Sequence, residues 1–303
     1  MKIYDLIIIG AGPAGITAGV YAARQKLDFL VISLDIGGQA AWSGDIENYT
    51  GYQFITGPEL VQKFQEHMLQ YGPLLKENEE VLELEKSGSV VRLKTNKADY
   101  QSRTVIIASG KKSRELGVTG EKEFKNRGLT YCATCDGPLF AGKDVAVIGG
   151  GNSALDAALQ LVKIAKQIYI INNTAGLSGD AILHRKIEEA GNTRILNNSS
   201  VVAVLGEKFV KGVKIKTLNQ EEELAVQGVF VEIGLVPNSE FAKGIAENSQ
   251  NEIIVDAHNQ TNISGIFAAG DVTDVPEKQI IIAAGEGSKA LLSASHYLSK
   301  NNF

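Results

Sequence analysis

Apolar and polar positions along the chain outline the same unit twice. Residues 4–33 (YDLIIIGAGPAGITAGVYAARQKLDFLVIS) and 143–172 (KDVAVIGGGNSALDAALQLVKIAKQIYIIN) each contain an apolar strand, a glycine-rich turn, an alanine-rich helix and a second apolar strand. A strand–helix–strand unit of about 30 residues is the building block of dinucleotide-binding folds. The repeat therefore predicts two related α/β domains.

The rest of the chain has different patterns. Residues 80–107 alternate polar and apolar positions, which predicts a β-meander ending in a buried strand, and residues 200–233 repeat that pattern. Residues 279–300 predict a closing helix. From the placement of the motifs, we expect the domain joins near 111–117 and 236–244.

Composition narrows the class of protein. The 303 residues are 44% apolar and 21% charged, which is typical of a globular protein large enough for two domains. A net charge of -5 without a basic block disfavours nucleic-acid binding. No apolar run approaches the ~18 residues of a membrane span. The apolar start contains Asp5 and ends in a glycine-rich turn, so it predicts a buried strand rather than a signal peptide, and a cytoplasmic protein.

The first glycine-rich turn has dinucleotide-binding spacing and consists of Gly10, Ala11, Gly12, Pro13, Ala14 and Gly15. Gly10 permits the tight turn, Gly12 lets the backbone approach a pyrophosphate, and Gly15 lets the helix pack on the sheet. A ribose-binding acid is expected about 20 residues later. Ser33 stands there instead and Asp35 follows, so the contact is left to Ser33, Asp35 or a backbone group.

The second turn is a variant of that motif and consists of Gly149, Gly150, Gly151, Asn152, Ser153 and Ala154. No Arg or Lys lies between Gln167 and Ala181 to meet a 2′-phosphate, which disfavours NADPH. No acid stands at 171–173 for a 2′-hydroxyl, although Asn172 can hydrogen-bond one. We therefore favour NADH over NADPH, with a degenerate site that binds neither well as the alternative.

Cys132 and Cys135 are the only cysteines, and they form a C-x-x-C motif. Zinc would need a second ligand pair, which the sequence lacks, and an inert pair of buried thiols is the other alternative. We interpret the motif as a dithiol/disulfide couple, because this spacing lets the sulfurs bridge and lowers one thiol pKa. Asp136 follows directly and can protonate a leaving thiolate or reduced flavin; a surface Asp capping a helix is its alternative.

Two buried strands end in small residues, where a cofactor could approach closely. One spans 104–110 and includes Ala108 and Gly110; the other spans 261–271 and ends in Gly270 and Asp271. Asp271 at a strand's carboxyl end could bond a ribityl hydroxyl, with a simple turn residue as the alternative.

Together these residues resemble the low-molecular-weight thioredoxin reductase family over essentially the whole chain. The specific marks are GAGPAG near residue 10, GGQ at 37–39, ENY at 47–49, YCATCDGP at 131–138, GGGNSA at 149–154, and Gly270-Asp271 followed by Lys278-Gln279-Ile280. The resemblance implies that FAD contacts also come from Gly38, Gln39, Asn48, Lys278, Gln279 and Ile280.

The resemblance further implies an α/β fold of two three-layer Rossmann-like domains, the second inserted in the first. An FAD-binding domain of 1–112 and 241–303 would enclose a pyridine-nucleotide-binding domain of 113–240 that carries the cysteines. Family members are homodimers whose nucleotide domain rotates. Cys135 matches the flavin-facing cysteine, and Cys132 matches the one that attacks the substrate disulfide.

The nicotinamide half departs from NADPH-using members, since Asn172 to Ser178 replace their arginine-rich stretch. It is closer to the flavoprotein subunit of alkyl hydroperoxide reductase, which prefers NADH and has an extra thioredoxin-like region. This chain begins at the FAD motif, so we expect a separate small thioredoxin- or glutaredoxin-like protein as the substrate. The prediction is a thioredoxin reductase-like disulfide oxidoreductase using FAD and NADH; alternatives are a non-nicotinamide donor such as ferredoxin, and a redox-sensing flavoprotein.

Overall fold

The chain folds into two compact units. The computed structural model describes residues 2–43, 45–217 and 220–301. The first unit comprises Met1–Lys112 and Val236–Phe303, and the second comprises Ser113–Leu235. None of the helices in these described ranges combines the length and the hydropathy that a membrane span needs.

The N-terminal part of the first unit is built on a sheet with parallel strands at its centre. Its elements are β1 (Ile3–Ala11), α1 (Pro13–Arg24), β2 (Phe29–Ile36), a 3-10 helix (Gly38–Trp42), β3 (Asp45–Ile46), β4 (Ile55–Thr56), α2 (Gly57–Leu69), β5 (Leu74–Lys76), β6 (Val81–Ser87), β7 (Val90–Thr95), β8 (Asp99–Ile107) and β9 (Lys111–Ser113). The strand order is β5-β2-β1-β8-β7-β6. Residues 6–9 are apolar and buried on both faces, which places β1 between parallel neighbours.

The second unit has its own parallel sheet. Its elements are α3 (Glu121–Phe124), β10 (Leu129–Thr130), α4 (Ala133–Asp136), a 3-10 helix (Gly137–Phe140), β11 (Asp144–Ile148), α5 (Asn152–Val162), β12 (Gln167–Ile171), α6 (Ala181–Glu189), β13 (Thr193–Leu196), β14 (Ser200–Gly206), β15 (Val210–Lys216), β16 (Glu221–Leu224), β17 (Gly228–Val231) and β18 (Leu235–Pro237). The parallel order is β10-β17-β11-β12-β13, and β14-β15-β16 form a separate antiparallel sheet.

The C-terminal segment completes the first unit with β19 (Ile266–Ala268), a 3-10 helix (Gly270–Val272) and α7 (Ile280–Lys300). β19 pairs with β8. β9 and β18, the two strands in which the chain passes from one unit to the other, pair with each other. The first unit resumes at Val236. Shortly afterwards, Asn238 exchanges hydrogen bonds with Ser109 and Gly110, which follow β8.

The predicted α/β class is confirmed, and the element patterns follow it closely. Strands β6, β7 and β8 form the first meander, and α7 is the closing helix. In the second meander only β14 to β16 are antiparallel neighbours, because β17 is apolar throughout and joins the parallel sheet. Residues 218 and 219 of that predicted meander lie outside the described residues.

Candidate functional site

The turn between β1 and α1 leaves open space beside one of its glycines. At Gly10 the φ is +104°, and a Cβ would lie 2.2 Å from the Ala108 carbonyl oxygen; at Gly15 it would lie 1.9 Å from the Gly10 carbonyl oxygen. At Gly12 the one described atom that a Cβ would meet within 4 Å is the Gly37 carbonyl oxygen, at 3.9 Å. Packing therefore excludes side chains at Gly10 and Gly15, while the space at Gly12 is free for a ligand.

Gly12 and Gly38 face each other across this space, which we call the cradle. A Cβ at Gly38, where φ is +52°, would lie 3.8 Å from the Gly12 Cα. Pro13 occupies the first position of α1, whose N-terminal amides donate no hydrogen bond to a capping side chain. Free helix N-terminal amides favour an anion. The cradle thus has the openness and the polarity that a pyrophosphate requires.

Ser33 holds the turn to the end of β2. Its buried hydroxyl accepts a hydrogen bond from the Ala11 amide at 3.0 Å and donates its proton to the Asp35 carbonyl at 2.6 Å. The Asp35 carboxylate is exposed and accepts a hydrogen bond from the Gly38 amide at 3.2 Å. Of the two side chains considered for the ribose contact, Asp35 is the one left with free hydrogen-bonding capacity.

Asn48 and Gln279 are far apart in sequence but adjacent in the first unit. The Asn48 side-chain amide donates a hydrogen bond to Gln279 Oε1 at 3.0 Å, and Gln279 caps the start of α7, whose first residue is Ile280. Ala108 is buried at the end of β8. A Cβ at Gly110 would meet no atom of residues 2–43, 45–217 or 220–301 within 4 Å.

Asp271 lies at the carboxyl end of β19, next to the start of α1. Its neighbour Gly270 has φ +77°, and a Cβ there would lie 3.1 Å from the Ala14 Cβ. No described residue donates a hydrogen bond to the Asp271 carboxyl. Burial raises its pKa, against the opposing charges of Lys278 and Lys111. A desolvated carboxyl without a protein donor suits a ligand hydroxyl. With the cradle, it shows that the first unit fits FAD.

Glu252 forms ion pairs with the two lysines near Asp271. It is only 5% exposed, and its Oε1 lies 2.8 Å from Lys111 Nζ and 3.0 Å from Lys278 Nζ. Burial pushes the Glu252 pKa upward, but the hydrogen bonds donated by Lys111, Asn248 and Lys278 outweigh it and lower the pKa to about 2. Lys111 also bonds Gln39, whose side-chain amide donates to its carbonyl at 2.8 Å. Sequence reasoning identified Lys278 and Gln39 but missed Glu252.

We expect Glu252→Gln to destabilise the first unit by about 3 kcal/mol near pH 7, because it leaves two partly buried ammonium groups without their carboxylate. The folded-state pKa of Glu252 is lowered to about 2 from an ordinary 4.5, so its contribution is present above pH 4.5 and is lost as the pH falls towards 2. Urea unfolding measures the difference in unfolding free energy between the wild type and Glu252→Gln. This difference should be smaller at pH 3.5 than at pH 7.

The matched control is Glu240→Gln, which removes an exposed ion pair with Lys112. It should change stability by no more than about 0.5 kcal/mol. An effect of Glu252→Gln as small as that of the control would contradict the assigned role of Glu252.

In the second unit, Cys132 and Cys135 form a disulfide with their Cα atoms 5.4 Å apart. Cys132 is the residue that caps α4, and its Sγ accepts a hydrogen bond from the Cys135 amide at 3.1 Å. Cys135 is exposed and Cys132 is half-buried. The redox interpretation of the motif therefore agrees with the geometry, in which a sulfur of the disulfide is open to a reactant.

Asp136 is linked to the cysteine backbone through one hydroxyl. Thr130 Oγ1 donates a hydrogen bond to Asp136 Oδ2 at 2.5 Å and accepts one from the Cys132 amide at 3.2 Å. Thr130 is buried. These two hydrogen bonds connect the Asp136 carboxyl to the backbone of the cysteine motif. Thr130 was not predicted, because a threonine before a C-x-x-C motif carries no signal on its own.

The turn between β11 and α5 repeats the open geometry of the first turn. Gly149 has φ +137°, and a Cβ there would lie 2.1 Å from the Glu232 carbonyl oxygen and 3.1 Å from the Ala154 Cβ. A Cβ at Gly151 would come within 4 Å of one atom in the described part of the chain, Ser178 Oγ at 3.8 Å. The backbone beside Gly151 is thus open to a pyrophosphate.

The loop after β12 closes on itself through Asn172. This side chain is 3% exposed; its amide donates to the Thr174 and Gly176 carbonyls and to Asn197 Oδ1, and its oxygen accepts from the Thr174 hydroxyl. The ribose contact predicted for Asn172 would need atoms that this network already uses. Asn152 has a similar role, because its Oδ1 accepts a hydrogen bond from the Asp180 amide at 2.7 Å.

Comparisons with known proteins agree with this geometry. A model of the pyridine nucleotide-disulphide oxidoreductase family matches residues 4–287. The chain is 42% identical to a subunit of the alkyl hydroperoxide reductase of Pseudomonas putida, over 99% of this chain and 59% of that protein. It is 39% identical to an NADH dehydrogenase of Bacillus subtilis, over 98% of this chain and 59% of that protein. The chain thus spans about three fifths of the length of these curated relatives.

Among solved structures, the chain is similar to a thioredoxin reductase of Lactococcus lactis. The TM-score is 0.88 and the identity 34%, with 98% of this chain and 99% of that chain covered. A relative above 40% identity that covers nearly the whole chain, together with a family model that matches most of it, establishes the relationship. The chain belongs to the FAD-binding pyridine nucleotide-disulphide oxidoreductase family.

Proposed function

We propose that this protein passes electrons from NADH, through FAD and the Cys132–Cys135 disulfide, to a small thioredoxin- or glutaredoxin-like protein. The observation that carries the proposal is the disulfide at the start of α4, with Cys135 exposed and Asp136 linked to it through Thr130. Leu139 follows on the next turn and is 67% exposed, which offers an apolar contact to a protein substrate.

The chemistry of the chain's own residues follows from this arrangement. Bound FAD would supply the two-electron carrier between the nucleotide and the disulfide. Two electrons break the sulfur–sulfur bond, and two protons complete the dithiol. We propose that Asp136, held by Thr130, delivers one of these protons. The Cys132 thiolate then attacks the substrate disulfide, and Cys135 attacks the resulting mixed disulfide, which releases the reduced substrate and re-forms the Cys132–Cys135 bond.

We propose NADH rather than NADPH as the donor. The loop after β12 offers no Lys or Arg between 167 and 181, so a 2′-phosphate would meet no cation there. Asp180, at the end of the loop, adds a negative charge instead. The name of the Bacillus subtilis relative supports the same donor. The family resemblance also supports a homodimer, and the sparing use of cysteine supports a cytoplasmic location.

A second candidate function keeps the disulfide chemistry but takes electrons from a ferredoxin-like protein. The observation that favours it is Asn172, whose side-chain amide is engaged within the protein and is not free to bind an adenosine ribose.

Anaerobic titration of the holoenzyme separates the two candidates. NADH should bleach the flavin band, and NADPH should do so only at much higher concentration. Adding a thioredoxin-fold protein should then restore the oxidised flavin and release thiols on that protein. If reduced ferredoxin bleaches the flavin band and neither nucleotide does, the donor is a ferredoxin-like protein rather than NADH. Failure of every thioredoxin-fold protein to accept electrons would contradict the proposed substrate class.

A further inference from the structure

Glu232 lies at the point of the second unit's sheet where a dinucleotide is expected to cross. β11 pairs with β12 on one side and with β17 on the other, so the strand order changes direction between β11 and β17. In open α/β sheets, ligands bind beyond the carboxyl ends of the strands at such a point. Gly149 follows β11 and Glu232 follows β17, and their backbones are in close contact.

The Glu232 carboxyl reaches the first turn of α5. It accepts a hydrogen bond from the hydroxyl of Ser153, the second residue of that helix. Its other oxygen makes no hydrogen bond within the described ranges. α5 has no side-chain cap, so its first amides are free for an anion. The Glu232 carboxyl therefore lies at the N-terminal end of α5, where a bound pyrophosphate would also lie.

The charges around Glu232 are mainly acidic. Burial, the largest cause, and the carboxyl of Asp156, one turn further along α5, together raise the pKa of Glu232 to about 7, against the Ser153 hydrogen bond, which lowers it. Burial and the charge of Asp180 also raise the pKa of Asp156, while Lys186 on α6 opposes them. An added pyrophosphate would bring more negative charge to the same place and disfavour the carboxylate form of Glu232.

We propose that Glu232 is a nucleotide-binding residue that carries a proton when a nicotinamide dinucleotide is bound. The protonated carboxyl can donate a hydrogen bond to a pyrophosphate or ribose oxygen, whereas the carboxylate repels the pyrophosphate. Binding of the nucleotide would therefore take up a proton above neutral pH. This inference rests on the proposed function, because it assumes that the second unit binds a nicotinamide dinucleotide.

The expected pH dependence has a definite sign. Below pH 7 Glu232 is protonated with or without ligand, so the Kd should be constant. Above it, binding requires proton uptake, so the Kd should rise by about tenfold per pH unit until the pKa of the complex is reached. At pH 7, with the site half ionised, about half a proton should be taken up per nucleotide. In Glu232→Gln both effects should disappear.

The test is anaerobic calorimetry of NADH binding to the photoreduced holoenzyme, in two buffers of different ionisation enthalpy from pH 6 to 9. Glu189→Gln, an exposed substitution on α6, is the control and should behave as the wild type. Binding that is equally strong across this pH range in the wild type, or proton uptake that persists in Glu232→Gln, would overturn the inference alone. Absence of NADH binding at pH 6 in both the wild type and Glu232→Gln would overturn this inference together with the proposed donor.

Discussion

Replacing Cys135 with serine is expected to abolish turnover with a disulfide protein while NADH still reduces the flavin. Only a disulfide can take the two electrons onward, so turnover should fall by about a thousandfold or more. Flavin bleaching should persist, because Cys135 lies in the second unit and the FAD cradle of Gly12 and Gly38 lies in the first. Stopped-flow absorbance and a coupled thiol assay measure the two steps separately.

Cys132→Ser is the matched variant, and the two should differ in what they trap. If Cys132 attacks the substrate, Cys135→Ser should displace thionitrobenzoate from a thioredoxin-like protein whose single active-site cysteine carries it as a mixed disulfide, and should remain joined to that protein by a stable mixed disulfide; Cys132→Ser should not. Cys135 is the more exposed of the two in this structure, so the reverse trapping pattern would exchange their roles. Full turnover in Cys135→Ser would support a redox-sensing flavoprotein instead.

Two alanine substitutions in the first glycine-rich turn are expected to fail in different ways. In Gly12→Ala the new Cβ meets no atom of the described residues closer than 3.9 Å, so the protein should fold, but this Cβ would intrude on the ligand space. An overpacking penalty of about 1–3 kcal/mol corresponds to a rise in the FAD Kd of roughly tenfold to a hundredfold. Flavin fluorescence titration of the apoprotein measures this Kd directly.

In Gly15→Ala the Cβ would lie 1.9 Å from the Gly10 carbonyl oxygen, so α1 must move away from the sheet. We expect a loss of stability of at least about 3 kcal/mol, visible in the apoprotein by thermal circular dichroism. Gly12→Ala should melt within a few degrees of the wild type. Equal melting temperatures for the two variants, or equal FAD affinities, would contradict the separation of packing and binding roles within this turn.

The sequence predicts the parts of this protein that depend on local patterns. The sequence predicts the roles of Gly10, Gly15 and Gly149, because a tight turn with a close backbone contact admits no side chain. That requirement depends on only a few neighbouring residues. Continuous apolar runs such as residues 6–9 likewise indicate a parallel sheet buried on both faces.

The side-chain networks could not be predicted in this way, because they join distant segments. Glu252 meets Lys111 across 141 residues, and Ser153 meets Glu232 across 79. Such pairs depend on the order of the strands within each sheet, which the hydrophobic periodicity of the sequence does not reveal. The sequence offers one signal for Glu232, because this residue follows an apolar strand just as Asp271 does. The pattern that predicts a ligand contact for Asp271 therefore predicts one for Glu232 as well.

The number of electrons that the holoenzyme accepts tests the central claim most directly. FAD and the Cys132–Cys135 disulfide each take two electrons, so anaerobic titration should consume about two NADH per protein chain before free NADH accumulates. Cys135→Ser should consume about one. Thiol counting should show two new protein thiols after reduction of the wild type and none after reduction of Cys135→Ser, which has a single cysteine. Consumption of a single NADH by the wild type, with the disulfide still intact, would contradict transfer from the flavin to the cysteine pair.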